Sequence, residues 1–317
     1  IKNIFYNYME KIFISIASYK DTELIPTIND AINNAYNKNN LVFGICLQDT
    51  DENLSNFPFK DNNFKVLKYH FQESKGCNWA RRNIQDKLYN DEKYYLQIDS
   101  HTRFIQDWDK KLIEILMSCP SEKPIISTHP NPYQRDDKKK TYLSNIYPHR
   151  IGINSFNSNG LTLNIKANFL NKTLKKSLWI AGGFLFTYGY WNEKIKHDEK
   201  IYFNGGEEEI TLKSFTHGWD IFCPGISVLY HCYENNNDKN TKYRTLHWED
   251  HKYFKYNLDV LKEFYSGKGI GLERSVKEFE KYSGINFKEK HLFQNARLGL
   301  CIDDFRIYRK ERLSNNK

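Results

Sequence analysis

The sequence contains no apolar run that approaches the ~20 residues a transmembrane helix needs. Its most apolar segment, residues 178–186, is far too short and contains Gly182 and Gly183. The mean hydropathy of -0.74 is that of a chain with a largely polar surface. We therefore expect no membrane span.

Cysteine pairs with the spacing of a metal site are also absent. The six cysteines are widely separated and none forms a CxxC pair, which argues against a zinc site and favours reduced thiols. Nothing near the start of the sequence resembles a signal peptide, because Lys11, Lys20 and Asp21 flank an apolar run of only strand length. These features predict a cytoplasmic protein.

The composition is neither that of a disordered chain nor that of a small disulfide-stabilised one. The 317 residues are 39% hydrophobic and 15% aromatic, so the chain can bury a substantial core. The net charge of +8 suits an anionic ligand such as a nucleotide. A basic nucleic-acid-binding module is an alternative, but the basic residues are dispersed, so we expect no nucleic-acid partner.

Strand-like and helix-like patterns alternate along the N-terminal part of the chain. The predicted strands are residues 12–19, 41–47, 63–69 and 94–98, and the predicted helices are residues 24–36, 78–88 and 108–117. Such alternation implies an α/β fold with a central, mostly parallel sheet flanked by helices. Ligands of open α/β sheets bind beyond the carboxyl ends of the strands. The polar residues just after Ala17, Leu47 and Ile98 are therefore candidates for a site.

The rest of the chain is less regular. Residues 120–159 are rich in proline, asparagine and charge, and are predicted to be long loops with short strands that form a lid or an acceptor-facing insert. Residues 178–225 are rich in glycine and aromatics, and a strand is predicted at residues 221–230. From residue 250 onward, the spacing of apolar residues predicts helices. We place a catalytic domain at residues 1–255 and a helical extension packed on it at residues 256–317.

The sharpest local signal follows the strand at residues 94–98. Asp99-Ser100-His101 places a carboxylate and an imidazole two positions apart, so both side chains point to the same side of the chain. This pair suits Mn²⁺ or a similar cation that also accepts phosphate oxygens; a capping aspartate beside a surface histidine is the alternative. His231, which follows a late strand, is the best candidate for a third ligand. Its competitors are His217, His247 and His251.

A glycine-containing turn precedes the helix predicted at residues 78–88, and Arg81 and Arg82 lie in its first turns. Backbone N–H groups at a helix start and a bidentate guanidinium together favour a diphosphate or nucleotide site. The alternative is a pair of exposed arginines on a surface helix.

Two further segments combine glycine with groups that bind sugars. Gly182 and Gly183 let a ligand approach the backbone beside the aromatic Trp179, although the same pattern occurs in ordinary cores. Glu207 and Glu208 offer carboxylates for sugar hydroxyls or for positive charge at an anomeric carbon. Acidic residues at a helix start also complement the helix dipole, so a purely structural role stays open.

In this order, the segments resemble a GT-A glycosyltransferase. The Asp-x-His, Ala-Gly-Gly and Gly-Gly-Glu motifs and the late histidine are similar to those of the polypeptide GalNAc-transferase catalytic domain. A closer resemblance is to glycosyltransferase family 60, the cytosolic GlcNAc-transferases that modify hydroxyproline. It is carried by Ile-Ser-Ile-Ala-Ser-Tyr at residues 14–19, Gly-Glu-Glu at 206–208 and Thr-His-Gly-Trp-Asp-Ile-Phe-Cys-Pro-Gly at 216–225, and spans roughly residues 10–255.

The resemblance implies a role for each matching residue. Asp99, His101 and His231 would hold Mn²⁺, or Mg²⁺, that bridges the diphosphate of a UDP-sugar. The nucleotide and diphosphate would contact Ala17, Ser18, Tyr19, Arg81, Asp99 and Ser100. The donor sugar would be surrounded by Trp179, Gly182, Gly183, Glu207 and Glu208. Glu209 is an extra acid relative to the family's pattern.

The favoured hypothesis is a metal-dependent, retaining glycosyltransferase that moves a sugar, with GlcNAc preferred, to a hydroxyl of a protein acceptor, either hydroxyproline or Ser/Thr. The resemblance implies that the leaving phosphate helps to deprotonate the acceptor. One alternative is an inverting GT-A enzyme that builds a glycan or glycolipid, with Glu207 or Glu208 as its catalytic base. Another is a nucleic-acid- or sugar-binding module without catalysis.

Overall fold

The computed structural model describes residues 10–135, 141–143, 147–170, 172–233, 245–251 and 258–315. The strands in these ranges are β1 (Ile12–Tyr19), β2 (Leu41–Asp49), β3 (Phe64–His70), β4 (Tyr94–Asp99), β5 (Thr102–Phe104), β6 (Pro124–Ser127), β7 (Asn131–Arg135), β8 (Thr141–Leu143), β9 (His149–Phe156), β10 (Thr162–Leu170), β11 (Lys175–Lys176), β12 (Phe184–Tyr188), β13 (Asp220–Cys223), β14 (Leu229–His231), β15 (Ile285–Asn286) and β16 (His291–Leu292).

The α-helices in the same ranges are α1 (Leu24–Asn34), α2 (Asp51–Ser55), α3 (Cys77–Lys87), α4 (Trp108–Met117), α5 (Trp191–Lys194), α6 (Gly206–Thr216), α7 (His247–Asp250), α8 (Leu258–Tyr265), α9 (Val276–Ser283), α10 (Gln294–Arg297) and α11 (Ile302–Asn315). The strands and helices predicted in the N-terminal part of the chain are confirmed, with ends that shift by a few residues. None of the helices in the described ranges has both the length and the hydropathy of a membrane span.

An eight-stranded sheet forms the centre of the molecule, in the order β11-β13-β6-β12-β4-β1-β2-β3. Four neighbouring strands, β3, β2, β1 and β4, run parallel to one another, and β12 joins β4 in the antiparallel direction. Helices cover both faces, so β1 and β2 are almost continuously buried, as expected for a parallel sheet packed on two sides. The predicted α/β fold with a mostly parallel sheet is confirmed.

The register of the sheet brings the predicted site together at one edge. In the parallel pairing of β1 with β4, Ala17 lies opposite Asp99, and Ser18 lies opposite Leu47 of β2. Parallel strands end at the same edge, so the polar residues that follow each of these strands share one rim of the sheet.

One strand prediction is wrong in its extent. Residues 221–230 do not form a single strand, because the chain leaves the central sheet after β13 and enters a second, four-stranded sheet as β14. Pro224 has no N–H to continue a ladder, and a Cβ on Gly225 would lie 2.8 Å from the Thr173 Cα. The break moves His231 out of the central sheet and into the ladder beside β5.

The segment at residues 120–159 is also more regular than expected. It supplies β6 to the middle of the central sheet, and β9 pairs with β10 in a long antiparallel hairpin. Residues 136–140 and 144–146 of this segment lie outside the described residues.

The C-terminal helices share a hydrophobic cluster with the hairpin and with α6. Phe279 of α9 is fully buried, and its ring meets Phe215 at 5.1 Å and Trp179 at 6.2 Å between centroids. Trp179 is one of the predicted sugar-binding residues, so this cluster supports the site from behind. All six cysteines lie in the described ranges, and none is in a disulfide.

We expect Phe279→Ala to lower the free energy of unfolding by about 3–5 kcal/mol, because a fully buried ring is replaced by a cavity between α9 and α6. Urea denaturation of the full chain measures the change. Phe293→Ala is the matched control, since this ring is 57% exposed and its loss should change stability by less than about 0.5 kcal/mol. Equal, small effects of both substitutions would contradict a shared core.

Candidate functional site

Three potential metal ligands converge at the carboxyl edge of β4. Asp99 ends that strand, His101 follows it, and His231 ends β14, which is antiparallel to β5. The Asp99 Oδ2 atom lies 3.1 Å from His231 Nε2 and 4.0 Å from His101 Nε2. The ligand atoms of all three residues lie within 4.8 Å of one another, and the described residues contain one such group. Its members do not include His217, His247 or His251.

Arg81 and Asp21 orient this group from behind. The Arg81 Nη2 atom donates to Asp99 Oδ1 at 3.0 Å and to the Gly182 carbonyl at 2.8 Å, which turns Asp99 Oδ2 toward the histidines. His101 Nδ1 lies 2.7 Å from Asp21 Oδ2. Because a carboxylate accepts, His101 Nδ1 carries the proton and Nε2 presents its lone pair to the cluster.

The electrostatics keep Asp99 ionised. Burial raises the pKa of its carboxyl, but the hydrogen bond from His231 and the charge of Arg81 outweigh burial and hold the pKa well below its usual range. One carboxylate oxygen and two imidazole nitrogens face the same point, where a cation would replace the proton that His231 Nε2 donates to Asp99. This donor set, with sides left open toward two cavities, fits a divalent cation that also binds oxygen ligands of a substrate.

The paired glycines are required by the protein's own side chains. A Cβ on Gly183 would lie 2.6 Å from Asp99 Oδ2, and a Cβ on Gly182 would lie 2.9 Å from Arg81 Nη1. Any other residue at these positions would displace the carboxylate or the guanidinium. The glycines therefore leave room for the Asp99–Arg81 pair, in addition to any room they leave for a ligand.

Two cavities meet at Asp99, and their walls share Cys77, Asp99 and Phe203. The larger, of about 320 Å³, lies between α6, α3 and the β9–β10 hairpin. The smaller, of about 250 Å³, lies over the ends of β1 and β2 and under residues 245–248. The larger volume lies within the range typical of small-molecule sites, and the smaller lies just below it.

The predicted site residues divide between the two cavities. All of the predicted sugar-binding residues line the larger one: Trp179, Gly182, Gly183, Glu207 and Glu208. The smaller cavity is lined by Ala17, Tyr19, Ser100 and the three ligand residues.

Arg81, Ser18 and Arg82, which the sequence analysis placed near a nucleotide or diphosphate, have three different surroundings. Arg81 lines the larger cavity, not the smaller one. Ser18 is fully buried and lines neither cavity. Arg82 pairs with Asp86 at 2.5 Å on the outer side of α3.

The three consecutive glutamates at the start of α6 point in three directions. Glu207 accepts a hydrogen bond from the Gly182 N–H at 2.7 Å and another from the Asn164 amide. Glu209 is fully buried away from the cavities, where it accepts from Asn78 at 2.7 Å and pairs with Lys213 at 2.6 Å. The extra acid is therefore a structural residue.

Glu208 lies between these two in sequence and faces the hairpin. Its Oε2 atom accepts from the Thr162 N–H at 3.1 Å and from the Thr162 hydroxyl at 2.6 Å. The side chain is 2% exposed, and burial raises its pKa to about 7 even though the bonds from Thr162 lower it. Glu208 is thus divided between its neutral and ionised forms near neutral pH.

The sequence analysis did not predict the part of the smaller cavity's wall that His247 and its neighbours form. His247 bridges Ser74, at 2.6 Å, and the Tyr202 hydroxyl, and its ring packs on Tyr19 at 4.5 Å. Burial and the neighbouring His251 lower the pKa of His247 to about 4, so it is neutral at physiological pH. The Gln48 amide is part of the same network through Ser74.

The other residues of the site differ in their sequence signal. Asp21 follows β1 and Gln48 lies near the end of β2, and both belong to the polar strand-end segments named as candidates from the sequence. Thr162 and Asn164 carried none, because they lie in a hairpin without a motif and meet α6 only through the tertiary fold.

Comparison with known proteins agrees with this architecture. The family model described as glycosyltransferase (GlcNAc) matches residues 11–62 and 53–262. A crystal structure of GalNAc-T7 with UDP, GalNAc and Mn2+ has a similar fold, with a TM-score of 0.59 at 13% sequence identity. The similarity covers 86% of this chain and 57% of that chain, so this protein spans little more than half of its neighbour's length. A comparison with curated proteins gives no match.

The central sheet, with a cluster of candidate metal ligands at its carboxyl edge, has the GT-A fold. The family model covers well over half of the sequence. The chain belongs to the glycosyltransferase (GlcNAc) family.

Asp21→Asn should weaken Mn²⁺ binding by about 10- to 100-fold, because outer carboxylates that fix a histidine ligand contribute to metal affinity by that amount. Titration of the protein with Mn²⁺, followed by the electron paramagnetic resonance of the free ion, measures the dissociation constant. Asp250→Asn is the matched control, since Asp250 bonds to Tyr19 and Lys20 and touches no ligand residue. Unchanged affinity in Asp21→Asn would show that His101 is positioned without it.

Glu208→Gln should make the protein more stable than wild type at pH 8 by up to about 3 kcal/mol, and equally stable at pH 4. The folded state holds the Glu208 proton to about pH 7, whereas the unfolded chain releases it near 4.5, so wild-type stability falls as the pH rises between these values. Urea denaturation at several pH values tests this. Glu209→Gln should act oppositely and destabilise at pH 8, because its interactions with His197 and Lys213 outweigh burial and lower its folded pKa. A pH-independent difference in Glu208→Gln would contradict the assignment.

Proposed function

We propose that the protein is a metal-dependent, retaining glycosyltransferase that transfers GlcNAc from UDP-GlcNAc to a hydroxyl of a protein acceptor, hydroxyproline or Ser/Thr, as family 60 enzymes do. The observation that carries the proposal is the position of Asp99, His101 and His231 at the junction of two cavities. A nucleotide sugar has the same two-part shape, with a diphosphate between its base and its sugar.

In this proposal the smaller cavity holds the nucleotide. Ala17 and Tyr19 supply its floor at the end of β1, while Ser100 and Asp99 approach the diphosphate. Gln48 presents its amide without adding charge, and neutral His247, whose ring nitrogens are bonded to Ser74 and Tyr202, adds none either, which suits an uncharged base. Ser18 and Arg81 act through other residues. The Ser18 carbonyl accepts a hydrogen bond from Gln48 at 3.1 Å, and Arg81 donates one to Asp99.

The larger cavity holds the donor sugar. Trp179 forms an apolar wall beside Gly182 and Gly183, and Glu207 and Glu208 place carboxyl groups where positive charge develops at the anomeric carbon. These two glutamates are the catalytic residues of the proposal, because they act on charge that appears only in the transition state.

Asp99, His101 and His231 are proposed to hold Mn²⁺, or Mg²⁺. When bound, the ion would neutralise negative charge on the departing diphosphate. Support comes from the donor set and from the fold neighbour with UDP and Mn2+. In the retaining reaction, the leaving phosphate takes the acceptor proton, so no protein base is required.

The GlcNAc donor is supported by the family's description, and the hydroxyproline acceptor by the resemblance to family 60. A cytoplasmic location is supported by six cysteines that form no disulfide among themselves.

Glu208 favours a second candidate, the inverting reaction. A carboxyl group with a pKa of about 7 is matched to general-base catalysis near neutral pH. The Thr162 bonds, however, tie one oxygen of Glu208 to the hairpin, and this restricts its approach to an acceptor. Proton NMR of the glycosylated product distinguishes the two candidates by its anomeric configuration: retention supports the proposal, and inversion supports a Glu208 base.

Release of UDP from a panel of UDP-sugars is the direct test of the proposed activity. We expect turnover of UDP-GlcNAc with Mn²⁺, no turnover with EDTA, and a loss of at least about 100-fold in Asp99→Ala, because the carboxylate anchors the charge that stabilises the leaving group. Asp86→Ala, on the exposed side of α3, should match wild type. If wild type neither hydrolyses nor binds any UDP-sugar, the proposal is wrong.

A further inference from the structure

The larger cavity is surrounded by buried polar atoms that have no partner within the described part of the chain. Four of the residues that line it each contribute one such atom: Arg81 Nε, Asn164 Oδ1, Trp179 Nε1 and Glu208 Oε1. Nearly all buried polar groups in proteins are hydrogen-bonded. A set of four around one cavity therefore indicates that a ligand supplies the missing partners.

The hydrogen-bonding types of these atoms describe the ligand. Arg81 Nε and Trp179 Nε1 can only donate, and Asn164 Oδ1 can only accept. Glu208 Oε1 accepts when ionised and donates when neutral. The complementary ligand thus offers both acceptors and at least one donor within a small volume. Sugar hydroxyls and an acetamido group both meet this requirement.

The orientation of the Asn164 amide is fixed by its neighbour. Its Nδ2 atom donates to Glu207 Oε2, and a carboxylate offers no proton in return, so the amide cannot be flipped. The oxygen is therefore the atom left for a ligand. Thr162, two positions earlier on the same face of β10, holds Glu208 in the same way.

We infer that Asn164 is a specificity-determining residue of the donor site, whose Oδ1 atom accepts a hydrogen bond from a donor group on the transferred sugar. The β9–β10 hairpin, through Asn164, then selects the sugar, while the strand-end residues bind the nucleotide. The inference depends on the proposed UDP-sugar transferase activity, since it assigns the larger cavity to the donor sugar.

The test compares UDP-GlcNAc and UDP-glucose, which lacks the acetamido group, in wild type and Asn164→Ala. We expect kcat/KM for hydrolysis of UDP-GlcNAc to fall about tenfold, the value of one good hydrogen bond. If the partner is the acetamido N–H, the UDP-glucose rate is unchanged and the preference between donors collapses. If the partner is a hydroxyl, both rates fall equally. Only the first result supports the inference, because an equal fall leaves the preference between donors unchanged and is also expected from loss of the Asn164 bond to Glu207.

The Kd of UDP alone, measured by calorimetry with Mn²⁺, separates recognition from a folding defect. It should be the same in wild type and Asn164→Ala, because UDP does not occupy the larger cavity. Asn154→Ala is the matched control, since Asn154 lies exposed on β9 of the same hairpin and should change neither rates nor Kd. Asn164→Leu, which keeps the approximate volume of the side chain, serves if the alanine variant is unstable.

Three results would overturn the inference: unchanged kcat/KM for both donors, an equal fall for both donors, or a loss of UDP affinity that matches the loss of hydrolysis. Failure of the proposed function is a different outcome. In that case wild type itself would show no turnover of either donor and no binding of UDP.

Discussion

The Asp99 carboxylate is the point on which the rest of the site depends. Its two oxygens have different tasks: Oδ1 is held by Arg81, and Oδ2 faces the two histidines. This division requires a buried guanidinium on one side and a backbone without side chains on the other, where a Cβ on Gly183 would approach to 2.6 Å. The ion pair also keeps the carboxylate charged despite burial.

The start of α6 connects the layers that surround this point. Successive helical residues are rotated by about 100°, so three adjacent glutamates reach three different elements. Glu207 binds the glycine turn before β12, Glu208 binds the hairpin, and Glu209 binds α3 through Asn78. As a sequence pattern, the acidic run is explained equally well by the helix dipole. In the structure, it connects the glycine turn, α3 and the hairpin.

Much of the fold and part of the site could be predicted from local sequence. The apolar runs of β1, β2 and β4 and the polar residues that follow them are encoded within a few positions, and they placed Asp99, His101, Ala17 and Tyr19 at one edge. The same logic ranked His231 first among four histidines but could not bring it to Asp99, because His231 reaches Asp99 only after the chain changes sheets beyond Pro224. It could not find Thr162 or Asn164 either, since no local pattern relates β10 to α6.

The charge balance of the larger cavity links Thr162, which local sequence did not reveal, to Glu208, which it did. Asp99 and Glu207 face the larger cavity with one buried cation, Arg81, beside them. Ionisation of Glu208 would add a further negative charge in a poorly solvated space, and burial opposes it by raising the pKa. Thr162 offsets part of that cost with two hydrogen bonds to a single oxygen. The hairpin therefore sets the charge of the cavity as well as its shape, and a wall without Thr162 would hold Glu208 more firmly in its neutral form.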